Sequence, residues 1–251
     1  LNLARAAARH GEYAIMLVRL GKVDEATEYA LRKFSTVDEA ETLAKALRER
    51  GDLERALEVA QHGLSLEGRK AGLAGWLRDL AAGMGRAEQA LSAALIAVRE
   101  EPGLAAYLRA RDLAGEKWPT MRDEVLLGVR RASALHPEGA VEIFLHEGLI
   151  DDAIAVADQT MHHHALVEMV VDAAIESRPE WVIKACARQA EPIMDEGRAQ
   201  LYDTAAKWVG KARRAYQVAG REEEWRAYLN ALLARHSRKY KLVPMLKKLA
   251  A

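Results

Sequence analysis

The sequence is poor in the residues that mark secreted, membrane-spanning and strand-rich proteins. Its single cysteine, Cys186, excludes an internal disulfide and a thiolate zinc cluster, and it fits a reducing compartment. Only 6% of the residues are aromatic, and no apolar stretch approaches the roughly 18 residues of a membrane span. We therefore expect a cytoplasmic protein with no membrane partner.

Charge of one sign is also lacking, because 37 basic residues balance 37 acidic residues. This balance argues against a protein that coats nucleic acid and against one with an acidic tail. With 29% charged and 50% hydrophobic residues, the chain has the composition of a packed protein and not of a disordered one.

Strand signals are nearly absent, and the dominant residue types favour helices. Apolar residues recur at spacings of three and four, as at Ala40, Leu43, Ala44 and Leu47. Glycines and prolines divide the pattern into short helices. The predicted fold class is all-α.

One motif occurs four times: glycine, any residue, an apolar residue, an acid, any residue, alanine. The copies are Gly21–Ala26, Gly51–Ala56, Gly85–Ala90 and Gly148–Ala153. A further alanine follows each copy at a spacing of four: Ala30, Ala60, Ala94 and Ala157. Glycine can end one helix in the left-handed conformation, and the acid suits the first turn of the next. Each copy therefore predicts a helical hairpin whose paired alanines let two helices approach closely.

The glycines of the four copies are 30, 34 and 63 residues apart, which leaves room for a degenerate copy near Gly115. Another degenerate copy begins at Gly220, where Trp225 replaces the alanine. This spacing predicts seven to eight hairpins, or fourteen to sixteen helices.

The hairpin motif resembles the tetratricopeptide (TPR) family, whose helix-turn-helix repeat is about 34 residues long. Pro102 falls where that family often closes its repeat, whereas the aromatic residues of the family's first helix are mostly missing. The resemblance implies a TPR-like solenoid, a right-handed α-α superhelix forming one domain over residues 1–251. It also implies a protein or peptide partner.

Residues 199–249 resemble the C-terminal region of bacterial SWIM zinc-finger proteins. The resemblance rests on the segments Ala199–Tyr216, Trp225–Leu229 and His236–Leu242. It implies that this chain is the helical region of a larger protein whose zinc module lies elsewhere. The amphipathic pattern that is already present at Leu1 also leads us to expect a fragment of a longer protein. We expect no cofactor in this region.

Three consecutive histidines, His162, His163 and His164, suggest a metal site or a metal-dependent enzyme. We favour a structural interpretation, because the helix after Gly148 is expected to end near Thr160. The histidines would then lie in a turn and point in different directions. Since the chain also lacks a phosphate-binding loop and a nucleophile elbow, we predict no catalytic residue.

Positive charge is concentrated at the end of the chain. Residues 211–251 hold eleven basic and three acidic residues, a local balance of +8, and the remainder has a balance of −8. This segment is either a soluble cap on the last repeat or a patch that contacts nucleic acid or an acidic partner. The candidate patch residues are Arg235, His236, Arg238, Lys239, Lys241, Lys247 and Lys248.

Three functions compete: an interaction scaffold, a nucleic-acid-associated accessory region and a metal-dependent enzyme. The scaffold explains both the repeats and the missing catalytic motifs, so we rank it first. The five tryptophans are spread along the chain and predict core positions for most of them. One or two could line a binding groove, but the sequence does not indicate which.

Overall fold

A computed structural model describes the backbone of residues 2–250 and the side chains of residues 9–250. Residues 2–250 form fifteen α-helices and two short 3-10 turns, with no strand. One isolated bridge joins Thr36 to Glu67. The all-α prediction and the predicted number of helices are both confirmed.

The helices of the first part of the chain are α1 (Asn2–Arg19), α2 (Val23–Lys33), α3 (Val37–Arg50), α4 (Leu53–Gly63), α5 (Ala71–Gly83), α6 (Ala87–Glu100), α7 (Leu104–Ala114) and α8 (Trp118–Ala132). The helices that follow are α9 (Pro137–His146), α10 (Ile150–Gln159), α11 (His164–Ala174), α12 (Pro179–Asp195), α13 (Tyr202–Val218), α14 (Glu222–Arg235) and α15 (Leu242–Lys247). The 3-10 turns are Gly115–Lys117 and Ala199–Leu201.

The chain divides into two compact units, residues 1–143 and residues 144–251, and the boundary lies within α9. In the first unit, α3 packs on α4 and α5 packs on α6. In the second unit, α12 and α13 form the most extensive helix pair. The expectation of one domain and one continuous superhelix over residues 1–251 stays a prediction.

The motif glycines lie at the turns between paired helices. Gly51 has a φ of 97°, and its amide donates to the carbonyl of Arg48 at 3.0 Å. The amide of Asp52 then donates to the carbonyl of Leu47 at 2.9 Å. Because these bonds satisfy carbonyls that the helix end leaves unpaired, α3 ends here and α4 starts at once. The other motif glycines, Gly21, Gly85 and Gly148, also have positive φ values.

The motif acids have a second role, which the sequence did not reveal. Each acid lies in the first turn of its helix, as expected, and three of them also pair with an arginine of the next hairpin. The nitrogen–oxygen distances are 2.8 Å for Arg55–Asp24, 2.6 Å for Arg86–Glu54 and 2.7 Å for Arg178–Asp151. The motif therefore joins successive hairpins as well as starting helices.

The motif alanines all lie in the core. Their side chains are at most 1% exposed: Ala26, Ala30, Ala56, Ala60, Ala90, Ala94, Ala153 and Ala157. Two alanines one turn apart leave a shallow surface on the helix, so a neighbouring helix can pack closely against it. Such contacts bury the backbone without requiring large side chains.

Candidate functional site

The three histidines lie in and beside the turn between α10 and α11. Nδ1 of His163 accepts a hydrogen bond from the amide of Leu166 at 3.3 Å, so this histidine caps the start of α11. Nδ1 of His164 bonds the side-chain oxygen of Gln189, whose amide group donates to the carbonyl of Met161 at 2.7 Å. Two of the three rings therefore take part in local structural contacts.

Metal-binding geometry is not found around these rings. Among residues 9–250, no group of three or more histidine, cysteine, aspartate or glutamate side chains is arranged to hold a metal ion. Cys186 is fully buried, and its burial raises the pKa of the thiol to about 12. A thiol with that pKa stays protonated near neutral pH and packs as a small apolar side chain.

The structure separates the seven candidate patch residues into two groups. Arg235 pairs with Asp195 at 2.7 Å and with Glu191 at 3.4 Å, and Lys239 donates to the carbonyls of Met194 and Asp195. His236 is only 3% exposed. All three residues contact the end of α12, and His236 adds nothing to the exposed surface, whereas the Arg235 side chain is still 54% exposed.

The other four patch residues are exposed, and no ion pair is found for them among residues 9–250: Arg238, Lys241, Lys247 and Lys248. Tyr240 lies among them and is 79% exposed. The basic surface predicted from the sequence is therefore smaller than its seven residues suggest.

An open groove lies between α6 and α8 in the first unit, and the sequence did not predict it. Its volume is about 680 Å³. Aliphatic side chains provide most of its lining: Leu95, Ile96, Met121, Val125 and Leu127. Arg99, Glu124 and Arg131 also line it, and Leu127 is 44% exposed. A smaller cavity of about 260 Å³ is also lined by Ser92 and Ile96, and it extends the groove along α6.

The structure also distinguishes the tryptophans. Trp118, Trp208 and Trp225 are at most 7% exposed and belong to the core. Trp76 and Trp181 are half-buried. The indole nitrogen of Trp181 donates to Asp158 at 3.1 Å, whereas the ring of Trp76 lies under the guanidinium of Arg48. The sequence could not identify Trp76 and Trp181 as the half-buried tryptophans, because all five tryptophans occur in similar helical patterns.

Comparisons with known proteins add little to this description. None of the protein-family models matches the chain, and no curated protein matches it in sequence. Among solved structures, the TPR domain of P58(IPK) matches over 97% of this chain and 78% of that chain, with 14% identity and a TM-score of 0.25. A similarity at that score supports no argument about function, so the fold assignment rests on the helices and turns themselves.

No helix within residues 2–250 is both long enough and apolar enough to cross a membrane.

Proposed function

We propose that the chain is a non-catalytic protein–protein interaction scaffold. The observation that carries this proposal is the groove between α6 and α8, which leaves aliphatic side chains partly exposed on packed helices. Covering apolar surface gains roughly 25 cal/mol per Å², so a peptide or a helix of a partner would be stabilised there. Because buried alanines hold the helices in place, little ordering is needed when the partner binds.

A library of displayed random peptides, selected on the full chain, tests this proposal. We expect enriched peptides that share two or three spaced aliphatic residues, because the groove offers an extended apolar lining. Leu127→Asp should weaken their binding by about tenfold or more, since it places a charge in the groove. Leu53→Asp is the matched control, because Leu53 is 38% exposed and lies outside the groove.

Two results would count against the scaffold. One is the absence of any enriched peptide family. The other is an enriched family that binds the wild type, Leu127→Asp and Leu53→Asp equally well.

The protein context belongs to the same proposal. The segments of residues 199–249 support a helical region of a bacterial SWIM zinc-finger-type protein in the cytoplasm. The sequence of the complete gene tests this context directly. A Cys-x-Cys and Cys-x-His module elsewhere in the protein would support it, and a complete gene without one would contradict it.

A nucleic-acid-associated role is the second candidate, and the exposed cluster around Tyr240 favours it. Arg238, Lys241, Lys247 and Lys248 could neutralise phosphates while the Tyr240 ring stacks on a base. With about four phosphate contacts, the logarithm of the binding constant should fall linearly with the logarithm of the salt concentration. The slope should be about −0.7 to −0.9 per contact. No binding to single- or double-stranded DNA or RNA at about 50 mM salt would eliminate this candidate.

A further inference from the structure

The groove between α6 and α8 is formed by two helices and not by loops. Most of its lining residues lie on one face of each helix, at spacings of three and four: Ser92, Leu95, Ile96 and Arg99 on α6, and Met121, Glu124, Val125, Gly128 and Arg131 on α8. The backbone groups inside both helices are already hydrogen-bonded. An extended peptide would therefore leave its amides and carbonyls unpaired against aliphatic side chains, whereas an α-helix pairs its own backbone groups.

Gly128 leaves a gap in the α8 side of the groove. A Cβ at this position would have no heavy atom within 4 Å, so the space above the glycine is open. Val125 and Met121 lie about one and two turns before it on the same face of α8. An apolar side chain of a bound helix can enter this gap and cover aliphatic surface that is otherwise in contact with water.

The C-terminal ends of α6 and α8 lie at the same end of the groove. The chain turns tightly after α8, because the amide of His136 donates to the carbonyl of Ala132 at 3.0 Å. The start of α9 then lies beside the end of α6, since a Cβ at Gly139 would be 1.9 Å from the carbonyl oxygen of Pro102. The two helices therefore run in the same direction along the groove.

Charge divides the groove along its length. Arg99 and Arg131 lie in the last turns of α6 and α8, and therefore at the same end. Glu124 lines the groove about two turns before Arg131, and Glu88 lines the adjoining cavity about three turns before Arg99. The groove is thus acidic towards the starts of its two helices and basic at their ends.

These charges are available to a partner. In the part of the chain whose side chains are described, no ion pair is found for Arg131, Glu124 or Glu88. Arg99 makes one contact of 3.5 Å with its neighbour Glu100 and is still 66% exposed. A partner with charges of one sign would be repelled at one end of the groove, whereas a partner with both signs at a matching spacing can pair at both ends.

We propose that the α6–α8 groove binds an amphipathic α-helix of a partner protein. The apolar stripe of this helix covers the groove, and one of its side chains enters the gap at Gly128. A basic residue beside the stripe pairs with Glu124 or Glu88. An acidic residue about two turns along the helix pairs with Arg131 or Arg99. The inference rests on the proposed scaffold function and specifies the class of partner.

A designed peptide of about 14 residues tests the proposal, and a cross-link holds it helical because a free helix of that length is barely stable in water. Three leucines form its stripe, and a lysine and a glutamate lie seven residues apart beside them. One counterpart replaces both charged residues with glutamine, and another has two adjacent D-residues that break the helix. Fluorescence anisotropy measures the binding of each peptide to the full chain. We expect the glutamine helix to bind about three- to tenfold more weakly than the lysine–glutamate helix, and the broken helix to bind more weakly still.

Variants of the groove show where the helix binds. Gly128→Leu fills the gap and should weaken binding about tenfold or more. Gly75→Leu is the matched control, because Gly75 lies inside α5, also has no atom within 4 Å of a Cβ, and does not line the groove. Arg131→Glu should weaken the lysine–glutamate helix about fivefold, and a helix with two lysines should then bind more tightly than it does.

Four results would overturn the inference: no binding of the lysine–glutamate helix at about 1 mM, equal binding of the glutamine helix, equal binding of the broken helix, or an equal loss of affinity in Gly75→Leu. A dimer of the wild type that Gly128→Leu abolishes would also overturn it, because a second copy of the chain would then fill the groove. The displayed peptides are titrated into the same samples. If their binding still depends on Leu127 while the designed helix fails, the scaffold stands and only the helical partner is rejected.

Discussion

The main core clusters of the two units are built from different side chains. The main core cluster of the first unit consists of alanine, leucine and valine with one phenylalanine, Phe34. The core cluster of the second unit includes Tyr202, Trp208, Tyr216 and Trp225. Small side chains impose a regular helix spacing, whereas large rings fill whatever space neighbouring helices leave between them. A repeat is therefore easier to see in the sequence of the first unit.

Ion pairs add to the contrast. In the first unit, cross-hairpin pairs such as Arg86–Glu54 involve residues of the motif itself. The second unit has one such motif pair, Arg178–Asp151. It also has Lys211 on α13, which pairs with Glu168 and Asp172 on α11 outside any motif copy. The second unit thus combines the motif pair with a contact that no motif copy predicts.

The largest expected effect comes from the aromatic core. Trp208→Ala should cost about 3–5 kcal/mol, because it leaves a cavity where a ring that is 4% exposed had packed. Urea unfolding of the full chain measures this loss. Trp181→Ala, at a half-buried ring, should cost clearly less. Equal losses for the two variants would show that the second unit does not depend on its buried rings.

Close packing in the first unit is tested by two glycines. A Cβ at Gly139 would lie 1.9 Å from the carbonyl oxygen of Pro102, so Gly139→Ala should destabilise by about 3 kcal/mol through backbone displacement. Gly128 in α8 has no atom within 4 Å of a Cβ, and Gly128→Ala should stabilise by about 0.4–1 kcal/mol. Thermal unfolding that ranks the two variants in the opposite order would refute this packing.

The alanine pairs come next. Ala90→Leu should cost about 1–3 kcal/mol, because the added atoms have no space at a position that is 0% exposed. Ala82→Leu, at an exposed position of the preceding helix, should change the free energy of unfolding by less than about 0.5 kcal/mol. Chemical denaturation of both variants provides the comparison. An Ala90→Leu protein as stable as the wild type would show that the repeat register is wrong.

The smallest expected effect is a pH dependence in the second unit. Burial is the main cause that lowers the pKa of the His236 ring. The charges of Lys239 and Arg235 lower this pKa further, and Asp195 opposes them. The folded state therefore favours the neutral ring. Stability that is present above the pKa of histidine in the unfolded state, about 6.5, is lost as the pH falls through the lower pKa of the ring in the folded state. His236→Gln should lose less stability between pH 7 and pH 5 than the wild type. A steeper decline in the variant would reverse the assignment.

The sequence predicted the regular parts of this protein and missed the surfaces. Glycine turns, first-turn acids and helix number follow from local chemistry, so the pattern around Gly51 was enough to predict a hairpin. The groove and the Arg48–Trp76 contact depend on how neighbouring hairpins are spaced, which no local pattern records. Charge counting likewise could not show that His236 is buried against α12. Long-range packing decided each of these features.

The central claim is that partner binding belongs to the first unit, on the groove between α6 and α8. Hydrogen exchange of the full chain, with and without a peptide selected from the display library, tests it most directly. We predict slower amide exchange in residues 87–100 and 118–132, with no change in residues 144–250. Protection confined to residues 144–250 would contradict the claim.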